Sequence, residues 1–170
     1  MSVEEHKKEA PLSVSCKIIT VSDTRSVETD RSGSLIKDQL LSNGHAVAEY
    51  VIVKDEQEEI QSAVLNGCQT TEIQAILING GTGIAARDVT IETLKPMFTK
   101  EITGFGELFR MLSYTEDIGS AAILSRAAAG VVGSTAVFAM PGSSGAAALA
   151  MKKLILPELA HVIREINKDL

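Results

Sequence analysis

The sequence predicts an α/β fold on a parallel sheet. Short β-rich apolar runs alternate with amphipathic helical segments, and two of those runs end directly in turns rich in Gly with Ser or Thr that lead into helices. Strand, helix, strand, helix, strand in that order calls for right-handed crossovers. At 170 residues, 45% of them apolar, the chain has the size of one domain and enough core material to do without disulfide staples.

Residues 1–12 are polar, contain Pro11 and show no periodicity. They read as an arm, either disordered or docked on a neighbouring subunit, ahead of one domain over residues 13–170. Val14–Val21 is the first strand and ends in Ser22-Asp23-Thr24-Arg25 and a polar loop to Gly33. Leu35, Ile36, Leu40 and Leu41 recur at helical spacing, and Asn43-Gly44 supplies residues suited to the left-handed close of a helix. His45–Val53 is the second strand; Ile60, Val64 and Leu65 mark the second helix.

Ala75–Asn79 is a third strand running straight into Gly80-Gly81-Thr82-Gly83. Thr90–Met97 reads as a short helix stopped around Pro96, and Gly104–Tyr114 as another. Between Ser120 and Ala129 the alanines suit a helix, while Ala121–Leu124 suits an edge strand. Gly130–Ala139 has the pattern of a hairpin centred on Gly133-Ser134, delivering a last strand to Met140-Pro141-Gly142-Ser143. A long helix follows, with a bend expected near Pro157.

The net charge of −6 argues against a broad phosphate-binding surface, and so against nucleic acid as a partner. An anionic ligand must be held locally, by helix N-termini, backbone amides, a metal ion or a few placed cations. Cys16 and Cys68 lack CxxC spacing and read as thiols of a reducing compartment. The N-terminus has charges where a secretory leader would be apolar, and no apolar run nears the roughly 20 residues of a membrane span. A cytoplasmic protein without a membrane partner is expected.

In open parallel sheets ligands bind beyond the carboxyl ends of the strands. Gly80-Gly81-Thr82-Gly83 and Gly142-Ser143-Ser144-Gly145 both lie at such ends. They suit a phosphate, or else serve as tight turns with Ser143 as a helix cap. Gly81–Ala86 also fits the G-x-G-x-x-A dinucleotide fingerprint, without its βαβ context; a P-loop is excluded because no Lys stands in the required position. Asp55 and Asp88 each lie just beyond a strand, and together they could hold Mg²⁺. Asp55-Glu56-Gln57-Glu58 equally has capping-box spacing, and Thr90 is a candidate cap after Asp88. Arg87 faces either a phosphate or solvent. His6, His45 and His161 have no ligand partner at metal spacing and are assigned no chemistry.

Taken in order, Asn79-Gly-Gly-Thr-Gly83, Arg87-Asp88-Val89-Thr90, Gly104-Phe-Gly-Glu107, Ser125-Arg-Ala-Ala-Ala-Gly130 and Met140-Pro-Gly-Ser143 resemble the MoaB/MogA family, which includes the G domains of gephyrin and plant Cnx1. The resemblance spans roughly Val14 to Ile166, nearest to the MoaB type. It implies a three-layer α/β/α fold with a mostly parallel sheet, and a reaction in which molybdopterin and Mg-ATP give adenylyl-molybdopterin and pyrophosphate. It assigns Asp55 and Asp88 to catalysis and Mg²⁺, and Gly80, Gly81, Thr82, Gly83 and Ser143 to pterin-phosphate and nucleotide contacts. Asp23 and Ser125 fall in further family motifs. It also implies a homotrimer or homohexamer and contacts with other enzymes of the pathway. Two other functions remain open: a non-catalytic molybdopterin carrier, and a dinucleotide-binding oxidoreductase resting on the fingerprint variant alone.

Overall fold

The computed structural model describes residues 2–170. Six strands form one sheet in the order β2-β1-β3-β6-β5-β4. They are β1 (Ser15–Val21), β2 (Ala46–Val53), β3 (Ala75–Asn79), β4 (Lys100–Glu101), β5 (Ala128–Val132) and β6 (Thr135–Met140). β1 lies parallel to β2 and β3, and β3 is parallel to β6. β5 runs antiparallel to both β6 and β4.

The strand alternation divides the core between two faces. Ile18, Leu77 and Phe138 share one face, where they pack on α2 (Arg31–Ser42), α5 (Thr103–Glu116), α6 (Ser144–Ala150) and α7 (Leu156–Asn167). Ile19, Ile78 and Ala139 point to the other face, against α3 (Gln57–Gln69) and α4 (Thr90–Leu94). The three layers are those the resemblance implied. No helix of the described residues is long and apolar enough to cross a membrane.

The chain leaves β1 for β2 on one side and returns to β3 on the other, so the strand order reverses at β1. That reversal opens a crevice at the carboxyl ends of β1 and β3, where α/β sheets place their ligands.

Several expectations need correction. The N-terminal arm contains a helix, α1 (Val3–Lys8), closed by a capping box in which Ser2 Oγ accepts the Glu5 amide and the Glu5 carboxylate accepts the Ser2 amide. It packs on α7 of its own chain, with ion pairs Lys7–Glu158 and Glu9–Arg164. The Asp55 capping box does not form: α3 begins at Gln57, and its flanking residue Glu56 makes no side-chain cap. Thr90 is not a cap either, since its hydroxyl donates to the Gly80 carbonyl at 2.9 Å. Between Ser120 and Ala129 the helical alternative is the nearer one: Gly119–Leu124 is a 3₁₀ turn, no edge strand forms over Ala121–Leu124, and β5 begins only at Ala128. The hairpin forms as expected, with Gly133 at φ 62°. In the C-terminal helix the break precedes Pro157: Met151–Ile155 is a π-helical turn, which leaves Pro157 in the first turn of α7, where no amide is needed.

Beneath the crevice lies a buried polar hub. Asp30, 1% exposed, caps α2 by accepting the Gly33 amide at 3.1 Å and takes the Tyr50 hydroxyl at 2.5 Å. Buried Asn79 accepts from Ser32 at 2.7 Å and donates to Thr20 at 2.9 Å. Burial raises the Asp30 pKa, but hydrogen bonds from Thr20, Tyr50 and Gly33 and the Arg25 charge outweigh it and hold the carboxyl below its usual range. Burial and the Asp30 contact push Tyr50 up to about 12. A depressed folded-state pKa contributes stability above the ordinary carboxylate range that is lost as pH falls through the folded value. Asp30→Ala is therefore expected to cost about 3 kcal/mol at neutral pH. Urea titrations of the two proteins should converge on acidification.

Candidate functional site

The loops after β1, β2, β3 and β6 surround a cavity of about 610 Å³. It is lined by Asp23, Arg25, Asp55, Gly80, Gly81, Thr82, Gly83, Asp88, Ser125 and Arg126, with Ile118, Ala121 and Leu124 as an apolar wall. Eight of the nine residues singled out from sequence thus meet in one place. The ninth, Ser143, does not line it: its Oγ caps α6 by accepting the Ala146 amide at 3.1 Å, and the adjacent Gly142 faces the cavity instead.

The glycine loop forms the floor. Gly80 and Gly81 have φ of 97° and 65°, backbone that L side chains rarely adopt. Gly80 ties the loop to β6 by donating to the Met140 carbonyl at 3.1 Å. The amides of Gly81, Thr82 and Gly83 have no hydrogen-bond partner among the described residues. Successive unpaired amides on such backbone make a concavity suited to an anion.

Two carboxylates flank that row. A Cβ placed on Gly81 would lie 3.0 Å from Asp55 Oδ1, and one on Gly83 would lie 2.5 Å from Asp88 Oδ2. Asp88 Oδ2 is anchored by the Ala85 amide at 3.0 Å. Burial, followed by the Asp23 and Asp88 charges, raises the Asp55 pKa. A third acid, Asp23, is already engaged. Arg87 grips both its oxygens at 2.9 and 3.0 Å and reaches Glu56 at 2.8 Å, which settles Arg87 as a bridge between loops. The Arg87 hydrogen bond, then the Asp55 amide, hold the Asp23 carboxyl low.

Two arginines that sequence reasoning did not single out hold the loops in register. Arg126 donates to the carbonyls of Thr82 at 2.9 Å and Gly83 at 2.6 Å, and pairs with Glu92. Arg25 donates to the Gly142 carbonyl at 2.8 Å and to Ser32 Oγ at 2.7 Å, joining the β1 loop to the β6 loop and the hub. The loop carbonyls they hold, Gly83 for Arg126 and Gly142 for Arg25, lie 43 and 117 residues away in sequence, so local spacing carries no trace of those contacts.

Chemically, the floor offers unpaired amides flanked by two carboxylates, the donor types that a phosphate and a divalent cation take. Mg²⁺ is commonly held by one or two carboxylates with phosphate oxygens and water completing its shell, and this donor set fits that pattern. A cation needs Asp55 ionised, and a raised pKa means protons compete from a higher pH than at an ordinary aspartate. Calorimetric titration with Mg²⁺ and a phosphate ligand is expected to show weaker binding at pH 5 than at pH 7; equal affinity would remove Asp55 from the site.

Known proteins share both this sequence and this architecture. A family model described as "Probable molybdopterin binding domain" matches residues 17–161. The chain is 66% identical over 169 residues to molybdenum cofactor biosynthesis protein B of Bacillus subtilis (strain 168), covering 99% of each. A crystal structure of a molybdenum cofactor biosynthesis protein B superposes with a TM-score of 0.91 at 58% identity, over 94% of this chain and 99% of that one. The tungsten cofactor synthesizing protein MoaB from Pyrococcus furiosus gives a TM-score of 0.82 at 36% identity, over 92% and 99%.

Proposed function

Because the chain belongs to the molybdopterin-binding family of molybdenum cofactor biosynthesis proteins, we propose that it adenylylates molybdopterin with Mg-ATP. The observation that carries this reading is the row of unpaired amides at Gly81–Gly83 set between the Asp55 and Asp88 carboxylates.

An oxygen of the molybdopterin phosphate attacks the α-phosphorus of ATP; the new P–O bond forms as the bond to the bridging oxygen breaks, and pyrophosphate leaves. The nucleophile is already an anion, so no general base is required. The barrier is the approach of two polyanions, which positioning and electrostatic stabilisation lower. Bound Mg²⁺ would neutralise phosphate charge. Asp55 and Asp88 would hold that ion, and the Gly81, Thr82 and Gly83 amides would hold a phosphate. Asp23, Arg87, Arg25 and Arg126 fix the loops that carry these groups. Ile118, Ala121 and Leu124 offer an apolar surface to a flat heterocycle.

A carrier that binds pterin without turning over ATP is the second reading. It is favoured by the amide row and the apolar wall of Ile118, Ala121 and Leu124, which can hold a pterin and its phosphate without ATP. Mass spectrometry after mixing the protein with molybdopterin, ATP and Mg²⁺ separates the two: adenylylated pterin supports the enzyme, and bound but unmodified pterin supports the carrier.

For the proposed trimer or hexamer, the exposed Leu108, Met111 and Tyr114 of α5 with Ile123 and Leu124 are the apolar surface best suited to contact between copies.

A further inference from the structure

Away from the cavity, the folding back of α1 onto α7 brings together two histidines that are 155 residues apart in sequence and a glutamate. One ligand atom from each of His6, His161 and Glu165 lies within 4.8 Å of the other two. We propose that these three residues form a site for a borderline divalent metal ion, Zn²⁺ foremost, that fastens α1 to α7.

The distances suit such an ion. Glu165 Oε1 is 3.1 Å from His6 Nδ1, which donates to it without an ion and gives up that proton on ligating, and 3.9 Å from His161 Nε2. Ligand atoms about 2.0–2.1 Å from a tetrahedral Zn²⁺ stand roughly 3.3–3.5 Å from each other, so small side-chain rotations suffice. The second independent feature is Glu158. Its Oε2 lies 2.9 Å from His161 Nδ1, and a carboxylate there can only accept, so Nδ1 carries the proton. The Nε2 lone pair is thereby left toward Glu165. A carboxylate behind a ligating imidazole is the usual way of fixing its tautomer and orientation.

The three side chains are only partly exposed, with His161 at 19%, His6 at 24% and Glu165 at 33%, so the ligands are held by packing and the site still opens to solvent. Arg164 and Lys168 both contact Glu165, and they balance its charge in the absence of an ion. Arg164 also pairs with Glu9, a partner it retains when Glu165 Oε1 turns to the metal. Two imidazoles and one carboxylate select Zn²⁺, Ni²⁺ or Co²⁺ over Mg²⁺, which prefers all-oxygen shells. The site is therefore chemically distinct from the Asp55–Asp88 pair, and it stands whether or not the adenylylation reading holds.

The test is calorimetric titration of ZnCl₂ into the chelator-treated full chain, with excess Mg²⁺ present to occupy the cavity carboxylates. One Zn²⁺ per chain is expected. His6→Ala and His161→Ala should each weaken binding by about 100-fold or more, and Glu158→Gln by roughly 10- to 100-fold. Zn²⁺ should also slow proteolytic trimming of the first ten residues in the wild type and leave the His6→Ala rate unchanged. Metal-free melting of each variant at the wild-type temperature would show that the fold is intact. Absence of Zn²⁺ uptake, or uptake unaltered in both histidine variants, would overturn the proposal.

Discussion

Asp88→Asn is expected to lower the rate of adenylyl-molybdopterin formation by about 100- to 1,000-fold, the range seen when one preorganised electrostatic group is removed from a transition state. The substitution is nearly isosteric. Asp88 Oδ2 accepts the Ala85 amide at 3.0 Å, and the amide oxygen of Asn can accept it in the same place, so the loop retains its shape. What is lost is the negative charge beside Gly83 and one oxygen able to face a cation. Raising Mg²⁺ should recover part of the rate, because a weakened metal site is refilled by mass action, whereas a collapsed loop is not. Asp55→Asn should behave alike, with the added effect that its raised pKa disappears from the pH profile. Product quantified by mass spectrometry across a Mg²⁺ series checks this; wild-type rates for Asp88→Asn at limiting Mg²⁺ would exclude the residue from metal placement, and molybdopterin bound with unchanged affinity but no product from the wild type itself would transfer the reading to the carrier.

Local chemistry explains which parts of the site are legible in the sequence. An apolar strand closed by Asn79 and running into four residues rich in glycine leaves few options, and Ala75–Asn79 with Gly80–Gly83 fold as their composition requires. Asp55 stands out because it comes just after β2, and Asp88 because it lies in the loop between β3 and α4, so both are at the carboxyl edge of the sheet. The capping-box reading of Asp55 fails for a tertiary reason: its backbone amide is drawn to Asp23 Oδ1 at 3.1 Å, across from another strand, and the helix starts two residues later. Thr90 is diverted in the same way by the Gly80 carbonyl. Strand β4 has two residues, Lys100 and Glu101, neither a strong strand former, and exists because β5 offers it an edge. The α1 capping box, by contrast, is written in Ser2 and Glu5, but so short a helix has too few apolar residues to show a period. Arg25, Arg126 and the Asp30–Tyr50 contact depend on chain segments that meet only after the sheet is assembled.

Gly80→Ala separates the demands of the fold from those of the chemistry, and it should destabilise the protein by more than about 2 kcal/mol. Two costs act together. At φ 97° a side chain is strained whatever the space around it, and the added Cβ would lie 2.2 Å from the Val21 carbonyl oxygen, which belongs to the adjoining strand and cannot move aside. Relief by shifting the loop would break the Gly80–Met140 hydrogen bond and disturb Gly142, where a Cβ would already lie 3.1 Å from the Gly80 Cα. The same substitution at Gly104 is the control. That glycine lies in the first turn of α5 with ordinary backbone, and a Cβ added there would meet no atom within 4 Å, so alanine should be neutral or stabilise by up to about 1 kcal/mol. Urea unfolding of both variants gives the comparison. If Gly80→Ala unfolded at the wild-type midpoint, the close contact between the β1 and β3 loops would not exist in solution, and the amide row it supports would lose its structural basis.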